Sequence, residues 1–77
     1  MYFVIELQKQ TESSCASLVY HEDSWTFQQA QSVFFGKCQY AAISAIPEHT
    51  VILVDVEGSV YDTKVFMHEQ PTNPAEE

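Results

Sequence analysis

Residues 26–46, T-F-Q-Q-A-Q-S-V-F-F-G-K-C-Q-Y-A-A-I-S-A-I, are the one segment of this chain with sustained helical periodicity. Phe27, Ala30, Phe34, Cys38, Ala41, Ala42 and Ala45 recur at steps of three and four, which places them on one face of a helix. Thr26 is a ready N-cap, with Gln29 three residues on to complete a capping box. Pro47 disfavours helical geometry at Ile46 and so sets the far limit. Gly36 inside the helix costs about 1 kcal/mol relative to alanine. Close approach by another backbone, or a slight bend, would justify it.

Strand-like runs flank it on both sides and must pack on that helix. Over 2–8, Phe3, Ile5 and Leu7 alternate with Tyr2, Val4, Glu6 and Gln8, the period of a half-buried strand. A polar loop over 9–14 leads to a second strand over 16–21, so the two read as an antiparallel hairpin. A third strand covers 50–56, Glu57-Gly58 forms a two-residue turn, and a fourth strand covers 59–68. That turn pairs Val56 with Ser59, Val54 with Tyr61 and Ile52 with Thr63. The expected fold is α+β: ββαββ, a four-stranded, mainly antiparallel sheet with one helix across one face. A helical crossover between the hairpins suggests that the first and third strands pair in parallel. One domain spans 1–69. Residues 70–77, with two prolines and two terminal acids, read as a disordered tail.

The uniformly apolar set Ile52, Val54, Val56, Tyr61, Thr63, Val65 and Met67 is expected to lie under the helix. Tyr2, Val4, Val51, Leu53, Val60 and Phe66 then fall on the uncovered face. Val33, Phe35, Tyr40 and Ile43 are apolar residues of the helix off its core stripe. Together these form an expected interface for a homodimer, since so much open apolar surface marks an interaction site.

Charge narrows the class of partner. Lys9, Lys37 and Lys64 are the only strong cations against eleven carboxylates, there is no arginine, and the net charge is −8. Such a surface repels nucleic acid and anionic membrane, and it suits a basic protein. Glu6, Glu22, Asp23, Asp55, Glu57 and Asp62 are the carboxylates expected to meet one.

No cofactor motif is present. Gly36 and Gly58 are the only glycines, too few for a phosphate loop. Cys15 and Cys38 read as two free thiols in a reducing compartment. The N-terminus lacks a basic leader and no run is long enough to span a membrane, so a cytoplasmic location is expected. Glu48, His49, His68 and Glu69 could hold a divalent metal in principle, although their spacing matches no closed metal motif. No nucleophile is activated by its neighbours, and no enzymatic activity is expected.

The chain resembles a family of very short proteins, without an established activity, from phages and mobile elements of gut bacteria. The residues that carry the likeness are Phe3-Val4-Ile5-Glu6-Leu7-Gln8, Ala30-Gln31-Ser32 with Phe34, Ser44-Ala45-Ile46-Pro47 with His49, Glu57-Gly58 and His68-Glu69. Gly36, Cys38, Gln39, Tyr40 and Trp25 depart from that pattern. The resemblance implies a mobile-element origin. It raises the expectation of a small inhibitor that binds a host nucleic-acid-handling protein, such as a restriction or CRISPR effector, by occupying its basic groove. The alternatives are a structural or accessory oligomer, and a metal-binding protein built on His49 and His68.

Overall fold

The computed structural model describes residues 1–68; Glu69 and the expected tail over 70–77 lie outside the described residues. Four strands and one helix follow in the order β1 (Tyr2–Thr11), β2 (Ser14–Tyr20), α1 (Phe27–Ile43), β3 (Glu48–Asp55) and β4 (Val60–Met67). They form one antiparallel sheet in the order β2-β1-β3-β4, with α1 on one face. This is the ββαββ architecture expected from the sequence.

The topology corrects one expectation: β1 and β3 pair antiparallel, from Tyr2↔Asp55 to Lys9↔Glu48. The 17-residue helix is about 25 Å long, close to the length of an eight-residue strand. It therefore carries the chain from one end of the sheet to the other, and the strands before and after it, β2 and β3, run the same way. β1 lies between them and runs opposite to both.

The first hairpin is tighter than its polar sequence suggests. β1 and β2 extend to Thr11 and Ser14, leaving only Glu12 and Ser13 at the turn, with an irregularity between Lys9 and Thr11. The second is looser. Asp55 Oδ1 accepts from the Glu57 and Ser59 amides, both at 2.9 Å, and Gly58 takes φ 88°. This side-chain capture closes β3 at Asp55, one residue early. Ile52 still pairs with Thr63, but Val54 pairs with Val60 across an irregularity that leaves Tyr61 extra. The bulge turns Tyr61 to the helix side, where its ring meets Tyr2 at 5.9 Å and Phe27 at 5.3 Å.

The Thr26 capping box forms in full, with Gln29 N–H on Thr26 Oγ1 at 3.2 Å and Thr26 N–H on Gln29 Oε1 at 2.8 Å. The helix stops at Ile43, three residues before the limit set by Pro47. Ser44 is extended, and its Oγ accepts from the Ile46 amide at 3.0 Å. A second residue holds that end from outside: His68 Nε2 lies 2.7 Å from the Ala41 carbonyl oxygen. No basic residue occupies the last helical turn, so this imidazole serves a carbonyl that would otherwise face the helix C-terminus with less support. Gly36 has no neighbour within 4 Å of where a Cβ would stand, so the expected close approach is not its reason.

The core consists of Val4, Ala30, Phe34, Ala41, Val51 and Leu53, with Tyr2, Tyr20, Trp25, Phe27, Val33, Cys38 and Phe66 packed around it. The two alanines let the helix sit close to the sheet while Phe34 fills the space between layers. Ala42 and Ala45, expected on the buried stripe, are exposed. The larger correction concerns the sheet. Val4, Val51 and Leu53, together with Tyr2 and Phe66, lie under the helix, and Val33 packs down on this core from the helix; these were expected at an interface. Ile52, Val54, Thr63, Val65 and Met67, expected in the core, point the other way.

Candidate functional site

The exchange of faces leaves an uncovered surface of defined composition. On the side away from α1, β1 presents Phe3, Ile5 and Leu7. Their cross-strand partners are Val54, Ile52 and Thr50 on β3, and Val19 and Ser17 on β2. β4 adds Thr63 opposite Ile52, Val65 opposite Thr50 and Val60 opposite Val54. Ile5 and Ile52 are direct partners at the centre of this face. Val19, Val60 and Val65 are 58%, 59% and 54% exposed, so no side chain of the described chain covers the margins. Charge enters only at one end, where Lys9 on β1 pairs with Glu48 on β3. At the opposite end the His21 ring lies 4.8 Å from Phe3.

The covered face, in contrast, holds a buried polar pair. Glu6 and His49 are 5% and 3% exposed. His49 Nε2 stands 3.5 Å from Glu6 Oε2, within reach of charge attraction but not placed as a hydrogen bond. Neither ring nitrogen of His49 has a hydrogen-bonding partner. Glu6 Oε1 accepts from Gln8 Nε2 at 3.1 Å and from Tyr20 Oη at 3.4 Å. Lys37 Nζ sits 3.9 Å above the Tyr20 ring, so the helix supplies a cation to the outer side of the same cluster. Sequence reasoning placed Glu6 on the acidic binding surface. It is instead enclosed beneath the helix, because β1 turns Val4 and Glu6 inward and Ile5 outward.

The other carboxylates are largely gathered. Glu22 and Asp23 follow β2, Asp55 ends β3, Glu57 is in the β3–β4 turn and Asp62 lies early in β4. The pairing of Val4 with Tyr20 and of Tyr2 with Asp55 brings these segments to one end of the sheet. Asp55 is committed there: besides the two turn amides, Tyr61 Oη donates to its Oδ2 at 2.8 Å. These bonds, that from Ser59 first and that from Tyr61 next, hold its carboxyl below the usual range, and the same contact raises the Tyr61 hydroxyl. Asp62 faces Lys64 at 3.7 Å and Asp23 faces His21 at 3.7 Å.

The residues considered for a metal do not converge. His49 points under the helix, Glu48 points to the open face, His68 is held on Ala41, and Glu69 lies outside the described residues. Among the described residues no three metal-ligating side chains form a group. Both cysteines are free; burial, then the charge of Asp62, raises the Cys38 thiol, which disfavours the reactive thiolate. A cleft of about 480 Å³ opens between the β1–β2 turn and the ends of β3 and β4, with Lys9, Glu12, Glu48 and His68 in its wall. Lys9 and Glu12 pair across 3.8 Å there. On the helix, Phe35, Tyr40 and Ile43 are 52%, 69% and 78% exposed. No helix of the described residues is long and apolar enough to cross a membrane.

Compared with known protein families, curated proteins and solved structures, the chain matches none. The likeness to short phage proteins thus rests on the residues quoted for it.

Proposed function

We propose that the chain is a non-enzymatic, protein-binding module of the small acidic kind used by phages and mobile elements, acting in the cytoplasm of a bacterial host. The observation that carries this reading is the open sheet face around Ile5 and Ile52. A small domain gains little by arranging aliphatic side chains on two sides of one sheet unless something covers both. Ile52→Asp places a charge at the centre of that face without entering the helix-covered core. The variant should keep its circular dichroism and lose an association that the parent chain makes, with itself or with a protein captured from host lysate. Unchanged association by the folded variant would sink the reading.

A second reading has its own support in the acidic end of the sheet. Glu22, Asp23 and Glu57 are exposed there, beside Asp55 and Asp62. Such a pole suits a basic groove that ordinarily holds nucleic acid, as in a restriction or CRISPR effector. Capture of such a protein should be lost when DNA or RNA is added in excess, and lost again in Glu22→Lys/Glu57→Lys. Capture indifferent to both changes would count against it.

A further inference from the structure

The two faces of this sheet are unequal in an unexpected direction. The face that α1 covers includes Glu6 and His49, both almost fully buried and imperfectly paired. The face left open carries Phe3, Ile5, Leu7, Ile52, Val54 and Val65 and no charge until Lys9 and Glu48 at its end. The open surface thus carries no charge at its centre, where the covered face holds two ionisable groups; Ser17, Thr50 and Thr63 are the hydroxyls set among its aliphatic side chains. Burial of apolar area is the main favourable term in folding and association, so such a face belongs inside the working assembly.

We infer that a second copy of this chain covers it, packed sheet to sheet about a twofold axis that crosses the strands. This rests on the reading of the open face as an interface. Area and charge favour that occupant. Four strands about 4.8 Å apart and about eight residues long present roughly 500 Å² of face. Two copies then remove on the order of 1,000 Å² from water, which meets the floor of about 1,000 Å² for a biological interface and places this one at the weak, concentration-dependent end. A face without a distinctive polar pattern is self-complementary, as an isologous contact requires. Charge selects the orientation. Were the strands of the two copies to run the same way, Glu22, Asp23 and Glu57 of each would meet their counterparts. Crossing the axis over the strands puts the acidic ends at opposite poles, away from each other, and sets each near the other copy's far end, where Lys9 offsets part of the charge of Glu12 and Glu48. Ile5 and Ile52 remain at the centre, packed against the same pair.

Sedimentation equilibrium of the full chain over a dilution series tests this. The parent chain should weigh about twice its 8.8 kDa at the upper concentrations. Ile52→Asp should raise the dimer dissociation constant at least 100-fold while keeping the parent circular dichroism. Val65→Lys, on the exposed outer strand, gives the same readout should Ile52→Asp unfold. Ile43→Asp, on the exposed helix surface, should leave the dimer intact. A parent chain that stays monomeric, a dimer indifferent to both sheet-face variants, or one broken by Ile43→Asp overturns the inference. A monomer that captures another protein only while Ile52 is present would overturn the second copy and keep the open face as an interface.

Discussion

Glu6 and His49 set the energetics at the scale of single residues. A buried ionisable pair must offset the loss of hydration on both partners, and removing one leaves the other exposed to the full cost. Glu6 retains donors from Gln8 and Tyr20, whereas the His49 nitrogens have none. His49→Leu should therefore cost less than Glu6→Leu, which strands an imidazole with nothing beside it. Glu6→Leu should destabilise by about 3 kcal/mol, and the double variant should recover on the order of 1–3 kcal/mol of the summed loss. Denaturant melts of the four proteins measure that coupling; strict additivity would show that the pair is no pair. Asp55 offers a pH test. Its carboxyl is held below its unfolded value, so its contribution is present above the unfolded pKa and is lost as pH falls through the folded one. Tyr61 is raised, so its share is present below the unfolded value and lost as pH rises through the folded one. Asp55→Asn should flatten the acid limb of the midpoint-versus-pH curve and remove part of the alkaline decline. Equal acid limbs in the two proteins would reject the assignment.

Among the elements, the helix was legible and the faces of the sheet were not. The Thr26–Gln29 box and the Ala30–Phe34–Ala41 stripe are local signals, and the structure holds both. Gly36 lies in open space on that helix, so Gly36→Ala should stabilise the fold by roughly 0.5–1 kcal/mol, read as a raised denaturation midpoint. A lowered midpoint would mean that the glycine serves a contact made by another molecule. The strands give no comparable local cue. In β3 both faces are apolar, Val51 and Leu53 on one and Ile52 and Val54 on the other, so alternation cannot say which the helix takes. In β1 the usual preference favours Phe3, Ile5 and Leu7 inward, yet the helix covers Val4 and Glu6. Two further signals lay at the strand ends. Asp55 can seize the turn amides and shift the register, which brings Tyr61 to Tyr2 and Phe27. His68 can reach the helix C-terminus only once β4 lies beside β3. Both are tertiary facts, and strand periodicity holds neither. The acidic end was legible as composition alone; its gathering at one pole depended on sheet order.

For the whole molecule, the question is how a chain this small keeps a one-helix, one-sheet fold. The helix packs on β1, β3 and the near side of β4 and reaches β2 at its Tyr20 end, where Lys37 lies over the ring. The sheet's second apolar face then stays only half-buried in the isolated chain, while eight net negative charges oppose compaction. Domains of this size bury only about 60% of the surface their unfolded chains expose, so the missing face is a large part of what remains. If a second copy supplies it, folding and association are linked, and stability must depend on concentration. For unfolding of a dimer to two chains, each tenfold rise in protein concentration adds about 1.4 kcal/mol per dimer. With the usual unfolding entropy per residue that corresponds to roughly 5 °C in the thermal midpoint. Scanning the parent chain over two decades should therefore move the midpoint by about 10 °C, and Ile52→Asp should abolish the shift. A midpoint independent of concentration in the parent chain would mean that the open face does nothing for the fold, and that its apolar side chains serve a different partner.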